Sequence, residues 1–226
     1  MTINNTYLTD PTVNKTLPNL MSASYKAELF IGVLVLIAVA ALSILLGFML
    51  TKIMSSKGFK NNMTANVCIA GILSVAMCLR YGLSAELLQG IFLMFVLLYA
   101  SWSDITSHTV DDYISVIILA LGLVSISTLG IGSMLLGTAI VVLPQIIMAL
   151  IPSCKPLGGA DLKISAALAF LLGWERGIAA FILGLLLSVV FMSVYNKLNR
   201  SDKGEEHPFA LVPFLSVAAM ALFIFA

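Results

Sequence analysis

LFIGVLVLIAVAALSILLGFML, residues 29–50, decides the fold class. It contains no charged residue and no helix breaker beyond isolated glycines. A helix rises about 1.5 Å per residue, and the hydrocarbon core of a bilayer is about 30 Å thick, so about 20 such residues span it. The run is too long for a signal-peptide core and lacks a small-x-small cleavage site leading into a soluble domain. It therefore reads as a retained first span. Further apolar segments follow at about 65–80, 86–102, 113–129, 132–151, 162–173, 177–196 and 209–226. The segments at 65–80 and 162–173 are short, and the latter borrows residues from the loop before it. Breaks fall at Lys57-Gly58, Arg80-Tyr81-Gly82, Leu129-Gly130, Pro152 to Gly159, Gly173-Trp174 and Asn199 to Pro208. Across all 226 residues, 60% are hydrophobic and 10% charged, with a mean hydropathy of +1.07. Soluble chains are roughly 45–50% apolar and about 25% charged. The expectation is an all-α, polytopic membrane bundle of about eight transmembrane helices, with a polar tail at 1–27 and one transmembrane domain at 28–226.

Orientation follows from the basic residues in the loops. Lys52, Lys57, Lys60, Lys155, Lys163, Lys197, Arg200 and Lys203 fall on one side; Lys15, Lys26, Arg80 and Arg176 fall on the other. This asymmetry puts the N-terminus outside and the first set in the cytoplasm.

Several function classes find no support. The net charge is +1, and no basic patch carries interleaved aromatics, so nucleic acid is not an expected partner. Cys68, Cys78 and Cys154 form no CxxC pair, which gives neither a zinc ribbon nor a disulfide framework. There is no HExxH, GxSxG or P-loop sequence.

The acidic residues are more informative. Most lie in polar loops or at segment ends. Asp104 closes the third segment and Asp161 opens the sixth. The chain crosses out and back between them, so both reach one membrane face. Ionisable groups at membrane depth are costly and tend to have a function. Asp161 follows Gly158, Gly159 and Ala160, small residues that allow another backbone to approach. A plain structural account also exists, in which Asp161 caps a helix after a turn. That account leaves Asp104 unexplained. Two close carboxylates cannot both ionise cheaply; they share a proton and titrate as a pair. One can then act as base toward water and the other as acid toward a carbonyl oxygen, without a metal or a covalent intermediate.

Three stretches carry a family resemblance. They are SWSDITSHTVDDYIS (101–115), LGGADLKISAALAFLLGWE (157–175) and HPFALVPFLSVAA (207–219). Together they resemble the type IV prepilin peptidases, membrane aspartyl proteases that include the preflagellin peptidases. The second stretch is similar to that family's GxGD-x-K motif. The likeness covers about residues 60–226. It implies that Asp104 and Asp161 are the catalytic pair. It also implies cleavage of short basic leaders from prepilins or pseudopilins at the cytoplasmic face of the inner membrane, with the lipid bilayer as the other partner and no cofactor.

The chain departs from the family pattern in places. Ala160 stands where the motif has Gly, and Asp111 where a Pro is usual. Asp111 and Asp112 are candidates for receiving a basic leader, with capping of the fourth segment as the alternative. The loop TKIMSSKGFKNNM (51–63) is short and lacks the CxxC-bearing insert of larger members. This implies a minimal peptidase without zinc and without methyl transfer. Lys163 lies two residues from Asp161, and such neighbours do not face each other on a helix. It either snorkels to the interface or positions substrate. Pro208 either breaks the last helix near the acids or opens it as an ordinary first-turn Pro. Two other readings use the same acids: a proton- or cation-coupled transporter, and a presenilin-type intramembrane protease. The absence of visible repeats disfavours the first, and Ser103 in place of a Tyr before Asp104 disfavours the second.

Overall fold

The computed structural model describes residues 11–56, 58, 63–151, 158–198 and 210–225. Its helices are α1 (Pro11–Ser56), α2 (Met63–Tyr81), α3 (Ala85–Ser107), α4 (Asp112–Gly122), α5 (Ile126–Leu129), α6 (Ile131–Leu150), α7 (Gly159–Leu198) and α8 (Val212–Phe225). A 3-10 turn, Leu123–Ser125, joins α4 to α5. No strand occurs among the described residues. The protein is a polytopic helical membrane bundle.

Each apolar segment of the sequence falls on helix. Among the described residues, six helical stretches are long and apolar enough to cross a membrane: Phe30–Ser56, Met63–Tyr81, Ala85–Ser107, Asp112–Leu129, Ile131–Leu150 and Gly159–Tyr195. The last holds the sixth and seventh predicted segments together, while Val212–Phe225 is shorter than a span. At the N-terminal end, α1 is already helical from Pro11, well inside the stretch read as a polar tail.

Glycines set the breaks. Gly82 (φ 58) follows α2, and its N–H returns to the Cys78 carbonyl at 2.9 Å. Gly130 (φ 74) separates α5 from α6. Both are left-handed conformations that disfavour a Cβ. The most consequential is Gly173 (φ 77, ψ −176), which breaks α7 into two limbs. A Cβ added to Gly177 would lie 2.9 Å from the Ala169 Cα. In a straight helix, residues eight apart are separated by about 12 Å. The limbs therefore fold back on each other. The tip of this hairpin packs on α6 at Gly137, where a Cβ would lie 2.8 Å from the Gly173 carbonyl. Ser133 of α6 accepts the Trp174 N–H at 3.3 Å.

The core joins α3, α4, both limbs of α7, and α8 through residues such as Leu93, Leu97, Ile118, Leu171, Leu215 and Ala219. The apolar span of α1 is peripheral: Phe30, Ile37 and Leu45 are exposed, as expected of a lipid-facing surface. At the hairpin-tip end, Tyr81 donates its hydroxyl hydrogen to the Phe223 carbonyl. Gln89 Nε2 donates to the Leu121 carbonyl at 2.9 Å and to Ser125 Oγ at 2.8 Å. These bonds tie α2 to α8 and α3 to the α4–α5 junction. A second set of polar contacts lies at the opposite end.

Candidate active site

The turn Ser101-Trp102-Ser103-Asp104 lies just before the last turn of α3, and each of its side chains bonds elsewhere. Ser101 Oγ lies 3.0 Å from Ser216 Oγ of α8. Trp102 Nε1 donates to Asn66 Oδ1 of α2 at 2.6 Å. Ser103 Oγ donates to the Thr109 carbonyl at 2.9 Å, closing the loop before α4. Asp104 Oδ2 accepts the Val212 N–H at 3.0 Å. Successive residues turn by about 100° around a helix, so four of them point almost all the way round. Rotation of this turn would break several of these bonds at once. Asp104 is only 6% exposed. His108 ends the helix in the left-handed region (φ 50), its N–H on the Asp104 carbonyl, and lies within electrostatic reach of the Asp104 carboxylate.

The start of α8 explains why it takes a carboxylate from another helix. Leu211 accepts from the Phe214 N–H at 3.1 Å and the Leu215 N–H at 3.2 Å, so it occupies the N-cap position. A Leu side chain has no acceptor to offer the free amides of the first turn. Pro213 has no N–H, and Phe214 is bonded back to Leu211. The Val212 N–H goes to Asp104, which caps α8 across the bundle.

The start of α7 is handled locally. The Gly158 carbonyl accepts the Leu162 N–H at 3.2 Å, so Gly158 is the N-cap and Asp161 the third helical residue. The Asp161 carboxylate reaches back to the Gly158 backbone, the return half of a capping box. A Cβ on Gly158 would lie 3.0 Å from Asp161 Oδ2, whereas one on Gly159 would meet nothing within 4 Å. The two glycines expected to clear room for a peptide thus differ. The space at Gly158 accommodates the carboxylate of Asp161 itself, and only the space at Gly159 is open. Asp161 lies within electrostatic reach of Asp104. The structure brings the two acids to one end of the bundle, on helices α3 and α7 that both pack on α4 and α8.

The other candidates divide. Lys163 pairs with Asp112 at 2.6 Å, linking α7 to α4, and both side chains are exposed. It does not turn to Asp161. Asp111 is the N-cap residue of α4, but its side chain makes no capping bond. That side chain bonds Tyr113, whose hydroxyl lies 3.1 Å from the Tyr99 hydroxyl. Pro208 lies outside the described residues. Asn66, Trp102 and Val212 went unnoticed in the sequence. An Asn inside an apolar helix was a usable signal; a backbone amide donor on α8 left none.

Two apolar grooves flank the acids. One, of about 480 Å³, runs between α2, α3 and α8 past Leu97, Trp102, Ile105, Pro213 and Val217. The other, of about 500 Å³, lies between α4, α6 and α7, with Asp112 and Lys163 at its mouth and Leu162 in its wall. Among the described residues, no three His, Cys, Asp or Glu side chains gather as metal ligands would.

Residues 91–194 match the family model described as the type IV leader peptidase family. The match covers just under half of the chain, and over that stretch the chain is similar to that family. No curated protein and no solved structure matches the chain. The matched stretch runs from α3 into the second limb of α7 and contains both Asp104 and Asp161. The leader peptidase segment thus includes both acids, while the Val212 amide that holds Asp104 lies beyond it. The protein is a multi-pass membrane protein, and its matched stretch is similar to the type IV leader peptidases.

Proposed function

We propose that Asp104 and Asp161 are the catalytic pair of an aspartic endopeptidase. The observation that carries this reading is the convergence of two carboxylates from separate helices at one bundle end, within electrostatic reach and each held by a helix-start amide. In the proposed reaction a water molecule sits between the acids. One carboxylate takes a proton from the water as its oxygen attacks the scissile carbonyl. The other, protonated, donates to the carbonyl oxygen, giving a neutral tetrahedral diol. Collapse breaks the C–N bond as a carboxyl group passes a proton to the leaving nitrogen, and the diol returns the other proton to the pair. No covalent enzyme intermediate forms.

The substrate proposed is a prepilin- or pseudopilin-like precursor, cut between a short basic leader and an apolar helix. The family match supports a leader-bearing substrate. The apolar grooves beside the acids suit an adjoining apolar segment. The larger share of Lys and Arg in the acid-end loops supports a cytoplasmic site in the inner membrane, with the N-terminus outside. The short 51–63 loop supports peptidase activity without methyl transfer.

The test is cleavage of a prepilin-like precursor by the purified protein in bilayers, read as a mobility shift. Asp104→Asn and Asp161→Asn should each abolish it while the protein still inserts and folds. Wild-type cleavage by either variant would overturn the assignment.

A further inference from the structure

The Trp102–Asn66 bond has no part in the chemistry above, yet it lies two residues from Asp104. Asn66 is 0% exposed. Its Oδ1 accepts the Trp102 N–H at 2.6 Å, and its Nδ2 lies 3.3 Å from Thr51 Oγ1. Thr51 Oγ1 in turn donates to the Gly47 carbonyl of α1 at 2.8 Å. The chain of bonds runs from the α1 backbone through α2 to the indole of α3. Residues two apart on a helix project about 200° from each other. Trp102 therefore pulls one side of the turn toward α2 while Asp104 is held on the other side by α8.

We propose that Asn66 is a positioning residue for Asp104, acting through Trp102. The proposal rests on the catalytic role given to Asp104. Fixing Trp102 sets the rotation of this turn of α3, and with it the direction in which Oδ1 of Asp104 faces Asp161 and the water. Ser101 on Ser216 and Asp104 on Val212 both tether the turn to α8 alone. The Asn66 bond opposes them from α2. Without it, this turn of α3 can rotate about its two α8 bonds, and Asp104 can turn relative to Asp161 on α7.

The experiment combines Asn66→Leu with Trp102→Phe, which keeps an aromatic ring and removes the N–H. Each variant is compared with wild type at equal amounts of folded protein on a prepilin-like precursor. The expected result is a fall in kcat of about ten- to a hundredfold, the scale of a small misplacement of a reacting group, with KM little changed. The double variant should be no worse than the poorer single variant, because both remove one bond.

A second readout reports the bond itself. The chain has two tryptophans. In a Trp174→Phe background the emission reports Trp102 alone, and Asn66→Leu should shift it to shorter wavelength. A shift with kcat unchanged would leave the bond a structural tie only and overturn the proposal. No shift would mean the bond is absent and would equally overturn it. Failure of the wild-type protein to cleave any leader-bearing precursor is a different outcome: it removes the peptidase reading and the positioning role with it, while the emission shift would persist.

Discussion

At the acid end, a carboxylate bonds a backbone amide at the start of two helices, α7 and α8. On α7 the carboxylate is Asp161, three residues along the same chain from Gly158. On α8 it is Asp104, which comes from another helix and is separated from Val212 by 108 positions. The local cap can form as soon as the first turn of α7 forms. The remote cap exists only when α3 and α8 are packed together. One acid thus sits in a self-contained motif, and the other is part of the tertiary structure.

Substitutions at the two acids test this contrast. The largest effect should be on activity. Asp104→Asn and Asp161→Asn should each lower the cleavage rate by at least about 10²–10⁴-fold, the usual worth of a general acid or base. Asn keeps an oxygen for the amide in both cases, so unfolding in detergent should change little. The alanine variants should differ from one another. Asp104→Ala leaves the Val212 N–H buried without a partner, at a cost of about 1–3 kcal/mol. Asp161→Ala frees a backbone amide on Gly158, which is exposed and can bond water, and should cost about 1 kcal/mol or less. Equal losses in a denaturation series would break the contrast.

Gly158→Ala sharpens the comparison from the other direction. Its Cβ would crowd Asp161 Oδ2 at 3.0 Å and displace the carboxylate. The expected result is about a tenfold fall in cleavage rate, a fraction of the loss that small misplacements can cause, with unfolding changed by less than about 1 kcal/mol. Gly159→Ala should be silent by both measures, since nothing lies within 4 Å of its added Cβ. The smallest effect belongs to the exposed pair. Lys163→Ala should shift stability by about 0–1 kcal/mol and leave the cleavage rate within error, as expected of a solvent-screened ion pair.

The same contrast marks what could be read from the sequence. The helical segments were legible because lipid imposes length and apolarity on each span. The hairpin break was legible at Gly173-Trp174, although the sequence did not show how closely its limbs pack. The Gly-Gly-Ala-Asp turn was legible as a helix start because its determinants lie within four residues. The setting of Asp104 was not legible. Its partner is a backbone amide, which any residue but proline offers, and the need for it arises from Leu211 and Pro213, far along the chain. Lys163 shows the same limit: the helical period ruled out Asp161, but only the packing of α4 on α7 supplied Asp112.

The bend at Gly173 has a consequence for how the protein enters the bilayer. The first limb, residues 159–172, is too short to be retained as a span on its own, and its leading turn carries Asp161. The longer second limb is strongly apolar and follows after a single glycine. The two must therefore partition into lipid as one hairpin, with the second limb drawing the first in behind it. The depth of Asp161 is then tied to the depth of the Gly173 tip, which packs on α6 at Gly137.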